Sequence, residues 1–227
     1  MTWVLDLDGV VWLSDTPIPG AADAVARLRA AGERVLFATN NSFPPRADTE
    51  AKLARFGIPA EGDLLTSAMA AARLVEPGER VLVAGGPGIV EAVRARGAVP
   101  VRDGDAEVVA VGFHRDFDYE RLRVAARAVD RGARLVATND DATYPTPDGP
   151  IPGGGSLVAA VAYATGVTPI VAGKPHGPMA DLVRAAGGEA GTVVGDRPDT
   201  DGDFAVRLGY RFALVLTGVT ARSDLPV

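Results

Sequence analysis

Short apolar runs alternate with longer amphipathic stretches along the whole chain. The apolar runs predict strands near 2–7, 34–39, 80–84, 108–112, 134–138, 169–172, 192–195 and 211–217. Two of these runs, at 81–83 and 214–216, are apolar at consecutive positions, which is typical of strands that helices cover on both faces. Because strands that alternate with helices indicate βαβ units, the pattern predicts an α/β fold with a mainly parallel sheet.

Glycines mark the predicted ends of the amphipathic stretches. The first stretch, over 21–31, ends at Gly32, and the second begins after Ser42 and ends at Gly57. Two prolines after Ser42 suit the first turn of that second helix, where a missing N–H costs nothing. Later helices are predicted to end at Gly97, Gly132, Gly166, Gly187 and Gly209.

The domain organisation is predicted from two breaks in this pattern. A turn at Pro77-Gly78 and the helix end at Gly166 enclose a segment with strands and helices of its own. We therefore predict an inserted α/β domain over 77–168, with a discontinuous core domain formed by 1–76 and 169–227.

The composition excludes several classes of function. Of 227 residues, 23 are Lys or Arg and 29 are Asp or Glu, so the net charge is −6. An acidic chain has no electrostatic basis for binding nucleic acid or an anionic membrane, and we expect neither partner. The absence of cysteine excludes disulfides and thiolate chemistry, and 2 histidines are too few for a tri-histidine zinc site.

The sequence also carries no targeting signal that we can identify. The longest apolar run, over 157–164, is far too short to cross a bilayer. The start of the chain, MTWVLDLDG, lacks the basic residues and apolar stretch of a signal peptide. We expect a cytoplasmic protein.

The first chemical motif is DLDGV, which ends the first predicted strand. Asp6 and Asp8 lie two residues apart, at the edge where α/β sheets hold their ligands. Such a pair suits a divalent cation, or a nucleophile beside a general acid. Two solvated acids at a strand end are an equally good interpretation of this motif alone.

The other polar motifs also follow predicted strands. Thr39-Asn40-Asn41-Ser42 has a hydroxyl and backbone N–H groups for a phosphate oxygen, although capping of the next helix by Asn41 or Ser42 explains it more simply. Lys174, in Gly173-Lys174-Pro175, can neutralise a phosphoryl group. In GDRPDTD, Asp196 is a candidate metal ligand that Asp201 can support; an Asp-rich turn is the alternative.

Taken together, these motifs resemble those of the haloacid dehalogenase (HAD) superfamily over essentially the whole chain. The similarity is greatest to class IIA, the NagD or p-nitrophenylphosphatase-like branch, whose cap is inserted between the second and third motifs. The stretch TNDDATYPTPDGPIPGGGS, over 138–156, is similar to the cap signature of that branch. The resemblance implies a HAD-type Rossmann-like core with a parallel sheet and an inserted cap of the C2 type.

The resemblance also implies a role for each motif residue. Asp6 would be the nucleophile that forms an aspartyl-phosphate, and Asp8 the general acid and base. Mg²⁺ would be held by the Asp6 carboxylate, the Asp8 backbone carbonyl and Asp196, with Asp201 behind them. The residues implied for binding phosphate or substrate are Thr39, Asn40, Asn41, Lys174 and Tyr144, with Tyr144 lying over the leaving group.

The function implied is a Mg²⁺-dependent phosphatase of small phosphomonoesters, with a small phosphorylated metabolite as partner and a homodimer as assembly. A phosphomutase with the same core chemistry and a non-catalytic phosphate or nucleotide binder remain the alternatives. A phosphonatase is excluded because its cap lysine is missing from 77–168.

Two departures from the branch are present. Asp140 replaces the usual proline of its Asn-Pro-Asp motif and adds a negative charge near the expected substrate entrance. The sequence also stops soon after LVLTGV, where relatives commonly continue with a strand and a helix, so a shorter core and a truncated chain are both open.

Overall fold

The structure, a computed structural model, describes residues 1–144, 146 and 148–225. Its strands are β1 (Thr2–Leu5), β2 (Trp12–Leu13), β3 (Thr16–Pro17), β4 (Arg34–Thr39), β5 (Leu64–Thr66), β6 (Arg80–Ala84), β7 (Val99–Val101), β8 (Val108–Val111), β9 (Arg134–Ala137), β10 (Thr143–Tyr144), β11 (Ile151–Pro152), β12 (Ile170–Val171), β13 (Gly191–Gly195) and β14 (Arg211–Leu214). Its α-helices are α1 (Ala21–Ala30), α2 (Arg46–Arg55), α3 (Ser67–Ala72), α4 (Pro87–Ala95), α5 (Tyr119–Asp130), α6 (Gly154–Thr165), α7 (Gly177–Gly187) and α8 (Asp203–Leu208). The predicted α/β class is confirmed.

The first sheet has five parallel strands in the order β14-β13-β1-β4-β5. Successive side chains of β4 enter different apolar clusters: Val35 and Phe37 lie in one, and Leu36 and Ala38 in another. Because alternate side chains of a strand point to opposite faces, both faces of this sheet are covered, as the apolar runs predict.

The second sheet also has five parallel strands, in the order β12-β9-β8-β6-β7. All its strands lie in the chain between β5 and β13 of the first sheet. Ile170 of β12 pairs with Val136 of β9, so this sheet continues past residue 168. The predicted boundaries of the domains, 1–76, 77–168 and 169–227, stay a prediction.

A single apolar cluster joins the two sheets. It contains Val4 and Leu36 of the first sheet, Val81 and Val136 of the second, and small residues of α3 such as Ala70. Close packing of this kind holds the carboxyl ends of the first sheet at a fixed position relative to the second.

Several short elements are missing from the sequence-based prediction. These are β5, β7, α3 and the two-residue pairs β2–β3 and β10–β11, all too short for a hydrophobic period to be recognised. The predicted start of the second helix is wrong by a few residues, because α2 begins at Arg46 and both prolines precede it. Among the described helices, none is long and apolar enough to cross a bilayer.

The apolar cluster that joins the two sheets gives a stability prediction. Leu36→Ala removes a side chain with 0% exposure from the shared cluster. We expect the free energy of unfolding to fall by about 2–5 kcal/mol, because the loss of buried apolar surface and the cavity left behind both destabilise the folded state.

Chemical denaturation measures this loss. The control is Val206→Ala, which removes an aliphatic side chain that is 79% exposed and should change stability by less than about 0.5 kcal/mol. Equal losses in the two variants would contradict the packing described here.

Candidate active site

The carboxyl ends of β1, β4 and β13 meet at a cavity of about 70 Å³. Every side chain that the sequence predicts for the site lines it: Asp6, Asp8, Thr39, Asn40, Asn41, Tyr144, Lys174, Asp196 and Asp201. Parallel strands bring their carboxyl ends to one edge of a sheet, which is why segments so far apart in the chain converge here. Lys174 and Tyr144 reach the cavity from segments next to the second sheet.

Lys174 connects two carboxylates at the bottom of the cavity. Its Nζ lies 2.8 Å from Asp6 Oδ1 and 2.7 Å from Asp201 Oδ1, and its side chain is only 2% exposed. Burial alone would lower the pKa of Lys174, but the carboxylates of Asp201 and Asp6 outweigh it and raise that pKa. The ammonium is therefore held charged in a nearly dry environment.

The carboxylates around Lys174 fit a divalent cation. Asp6, Asp196 and Asp201 each offer an oxygen, and these oxygens lie within 4.8 Å of one another. Asp196 Oδ1 is buried and has no hydrogen-bond partner in the described part of the chain. A set of hard oxygen donors with one orphaned carboxylate oxygen is what Mg²⁺ prefers.

Two glycines make room for Asp196. A Cβ at Gly9 or at Gly218 would collide with the Asp196 carboxylate, and Gly9 has a φ of 82°, which also favours glycine. Asp196 Oδ2 accepts a hydrogen bond of 2.6 Å from the Val219 backbone N–H. The segment around Val219 therefore fixes this carboxylate, and burial raises the pKa of Asp196.

Asp8 is held from two sides. Its Oδ1 accepts hydrogen bonds from Trp12 Nε1 at 3.1 Å and from the Tyr144 hydroxyl at 3.3 Å. Burial raises the pKa of Asp8, while the hydrogen bond from Trp12 opposes that rise. A carboxyl group with a raised pKa and a fixed orientation is suited to proton transfer.

Tyr144 lies beside an aromatic wall. Its ring centroid is 5.6 Å from that of Phe113, which in turn is 6.0 Å from Phe43. Burial and the nearby Asp8 carboxylate raise the pKa of the Tyr144 phenol, so its hydroxyl stays protonated and donates. The contact with Asp8 was not part of the sequence-based prediction for Tyr144.

The loop after β4 has its own hydrogen bonds. Thr39 Oγ1 accepts from the Asn41 backbone N–H at 3.0 Å, and Asn41 Oδ1 accepts from the Phe43 N–H at 3.0 Å. The simpler interpretation, in which Asn41 or Ser42 caps the next helix, is wrong because the residue that precedes α2 is Pro45.

The sequence Ala-Thr-Asn occurs twice, at 38–40 and 137–139, and the two copies lie side by side. Thr138 Oγ1 is 2.9 Å from Ser42 Oγ, and Asn139 Nδ2 donates to the Asn40 carbonyl oxygen at 2.8 Å. The second copy therefore supports the loop that contains the first.

Other residues at the cavity were not predicted as site residues. They include Phe113, Asn139, Asp141, Thr143 and Arg197, of which all but Phe113 lie within the cap signature or the GDRPDTD motif. All except Arg197 lie near the second sheet, in loops or in β10, and no local pattern there indicates which side chain will face the first sheet. Asp201 accepts from the Arg197 backbone N–H at 3.3 Å, so this aspartate supports its own turn as well as Lys174.

Asp140, the residue that departs from the cap signature, forms a hydrogen bond with His176 outside the cavity. Its Oδ2 lies 2.8 Å from Nε2 of His176, and both side chains are partly exposed. The Asp140 carboxylate is therefore held by a histidine of the adjacent segment and does not line the cavity.

Comparison with protein families gives matches to two segments of the chain, one near each end. Residues 3–99 match a family described as haloacid dehalogenase-like hydrolase, and residues 171–226 match one described as HAD-hydrolase-like.

Individual relatives are phosphatases. The D-glycerol 3-phosphate phosphatase of Mycobacterium tuberculosis is 39% identical over 97% of this chain, which spans 64% of that protein's length. An acid sugar phosphatase of Staphylococcus saprophyticus is 32% identical, with 98% of this chain and 89% of the relative covered. The crystal structure of the mycobacterial glycerol phosphate phosphatase with magnesium matches with a TM-score of 0.90 and 38% identity, covering 98% of this chain and 69% of that one.

The buried charges of the site generate a second stability prediction. Lys174→Met leaves the Asp6 and Asp201 carboxylates uncompensated, and we expect a loss of about 3–5 kcal/mol at pH 8 without added metal. Burial raises the pKa of Asp6, so the folded variant binds more protons than the unfolded chain between the unfolded and folded pKa values. Stability therefore falls as the pH rises through that interval, and the loss should shrink towards pH 4.

Denaturation curves of both proteins over this pH range test the expectation. The chain contains one other lysine, Lys52, whose side chain is 20% exposed beside the solvated Asp15. Lys52→Met is the matched control. Because Lys52 is one of several groups that lower the pKa of the buried Asp8, this variant should show a smaller loss with a weaker pH dependence. A pH-independent loss in Lys174→Met would contradict the charge argument.

Proposed function

The chain belongs to the haloacid dehalogenase superfamily of hydrolases, and we propose that it is a Mg²⁺-dependent phosphatase that hydrolyses small phosphomonoesters through an aspartyl-phosphate. The observation that carries the proposal is the Lys174 ammonium between Asp6 and Asp201, at the bottom of a cavity that Asp8 and Asp196 also line. The curated relatives described above are phosphatases, which supports the same class of reaction.

In the first step, a carboxylate oxygen of Asp6 attacks phosphorus and the bond from phosphorus to the ester oxygen breaks. Asp8 gives its proton to the departing oxygen, for which its raised pKa and its hydrogen bonds to Trp12 and Tyr144 are suited. In the second step, Asp8 takes a proton from water as the water oxygen attacks phosphorus. Inorganic phosphate leaves and the Asp6 carboxylate is restored.

Charge neutralisation is the main physical requirement of this reaction. A dianionic ester and the Asp6 carboxylate repel each other, and Lys174 offsets part of that repulsion. Asp6, the Asp8 backbone carbonyl and Asp196 would hold Mg²⁺, and the orphaned Oδ1 of Asp196 supports this assignment. When bound, the cation would supply further positive charge to offset the negative charge of the phosphate.

The remaining residues bind the substrate. The Thr39 hydroxyl and the Asn40 backbone N–H would hold phosphate oxygens, and Asn41, whose N–H donates to Thr39 Oγ1, would position that hydroxyl. Tyr144 would contact the leaving group as well as Asp8. We propose a small, polar leaving group, because many of the side chains that line the cavity are polar. Glycerol phosphate is the first candidate, since a 39% identical relative is named for it.

Metal dependence is the first test. EDTA should abolish the release of phosphate from p-nitrophenyl phosphate, and Mg²⁺ should restore it. Asp196→Asn should raise the Mg²⁺ concentration required by at least ~10-fold, since even groups that only orient metal ligands have effects of that size. The control is Asp199→Asn, an exposed carboxylate of the same turn. Full activity in EDTA would refute the proposal.

The roles of the two aspartates are the second test. Asp6→Asn should reduce phosphate release to background for every ester, because an amide cannot form the acyl phosphate. Asp8→Asn should slow the phosphorylation step by ~10²–10⁴-fold for glycerol 3-phosphate, whose leaving oxygen needs a proton. The loss should be clearly smaller for p-nitrophenyl phosphate, because p-nitrophenolate leaves without a proton.

Single-turnover kinetics on both esters separate phosphorylation from the later hydrolysis, in which Asp8 also acts. An equal penalty for the two esters in the phosphorylation step, or an active Asp6→Asn protein, would overturn these roles.

A further inference from the structure

The side chain of Asn40 binds the backbone of Lys174. Asn40 Oδ1 accepts from the Lys174 backbone N–H at 2.8 Å, and Asn40 Nδ2 donates to the Lys174 carbonyl oxygen at 3.0 Å. The carboxamide therefore satisfies both backbone groups of Lys174, as a neighbouring strand would. A Cβ at Gly173 would come within 2.5 Å of Asn40 Oδ1, so this close approach requires a glycine there.

The second hydrogen of the Asn40 amide is used as well. Asn40 Nδ2 donates to Asp141 Oδ2 at 2.9 Å, and Asp141 belongs to the loop between β9 and β10. The same loop holds the Asn40 backbone, since Asn139 Nδ2 donates to the Asn40 carbonyl oxygen at 2.8 Å. Asn139 Oδ1 in turn accepts from the Asp141 backbone N–H at 3.3 Å.

A carboxylate is an unexpected group at this place. Asp141 lines a cavity that we propose to receive a phosphate dianion, and burial raises its pKa, with the hydrogen bond from Asn40 opposing that rise. Its chemistry offers an explanation, because an ionised carboxylate only accepts hydrogen bonds. It can therefore pair with the NH₂ end of the Asn40 amide and repels the oxygen end.

We propose that Asp141 is a positioning residue for Lys174 that acts through Asn40. The two ends of a carboxamide have nearly the same shape, and a rotation by about 180° would turn Nδ2 towards the Lys174 N–H and Oδ1 towards the Lys174 carbonyl. Both contacts would then be repulsive. Asp141 adds a third contact that only the observed orientation satisfies, and this contact helps to keep Lys174 fixed between Asp6 and Asp201.

This inference rests on the proposed function, because Lys174 matters here as the group that neutralises the nucleophile and the phosphate. It adds that a loop of the second sheet sets the position of this cation. The predicted cap would thus complete the charge arrangement of the core in addition to covering the substrate.

A double-mutant cycle with a reversed hydrogen bond tests the inference. Asn40→Asp puts two carboxylates in contact and removes the donor to Asp141, and we expect kcat to fall by at least ~30-fold. In Asp141→Asn the new amide can still accept from Asn40 but no longer enforces its orientation, so the expected fall is ~3–10-fold.

The double variant reverses the donor and the acceptor. The amide at position 141 then donates to the carboxylate at position 40, which still accepts from the Lys174 N–H. In Asn40→Asp a carboxylate oxygen replaces the Nδ2 donor to the Lys174 carbonyl, so the recovery is incomplete. We expect kcat of the double variant to exceed the additive value by at least ~10-fold, a coupling of the size that contacting residues show. Additive losses in the double variant would overturn the inference.

Inhibition by inorganic phosphate supplies a readout that altered folding alone would not change. The inhibition constant for phosphate is measured at saturating Mg²⁺ on folded protein. Across the variants it should rise in the same order in which kcat falls. Asp141→Ala keeps the test decisive if Asn40→Asp does not fold: its inhibition constant should rise at least ~10-fold, and an unchanged value would overturn the inference.

The matched control is Asp140→Asn, the neighbouring carboxylate, which pairs with His176 outside the cavity. It should leave kcat and the inhibition constant unchanged, and losses equal to those of Asp141→Asn would refute a specific role for Asp141. Failure of the proposed function is distinguishable, because the unmodified protein would then release no phosphate from any ester. If the unmodified protein is active but the losses in the double-mutant cycle are additive, only this inference is refuted and the proposed function stands.

Discussion

The buried ammonium group of Lys174 makes the rest of the site possible. Asp6, Asp196 and Asp201 bring three carboxylates into one small volume, and the Lys174 ammonium lies between two of them. Carboxylates removed from water without compensation cost several kcal/mol each and would take up protons instead. A divalent cation would supply the further positive charge that these carboxylates require.

The position of that ammonium depends on both sheets. Asp6 and Asp201 belong to the side of the first sheet, whereas Lys174 follows the edge strand β12 of the second. Packing between the sheets, through small side chains of α3, therefore has a chemical consequence: it sets the distance between opposite charges. The packing sets the position of the Lys174 segment relative to the first sheet. The hydrogen bonds among Asn40, Lys174 and Asp141 then fix the backbone of Lys174 within that segment.

Much of this arrangement could be predicted from the sequence, for a physical reason. Apolar strands predict a parallel sheet, and parallel strands bring their carboxyl ends together, so polar residues such as Asp6, Thr39 and Asp196 were expected to meet. The contact of Asp141 with Asn40 could not be predicted, because it depends on how two sheets pack and no local period encodes that. The contact of Tyr144 with Asp8 was missed for the same reason, and β5 and α3 are too short to have a period.

The order of the strands in the first sheet also affects how the protein acquires its structure. β1 is central, yet Thr2 pairs with Gly191 of β13, across the entire second sheet in sequence. Closing so long a loop costs conformational entropy before the contact repays it, and folds dominated by such contacts form slowly. The aspartates at the ends of β1 and β13 can come together only after the intervening chain has collapsed, so metal affinity should appear late in refolding and report on the fully native protein.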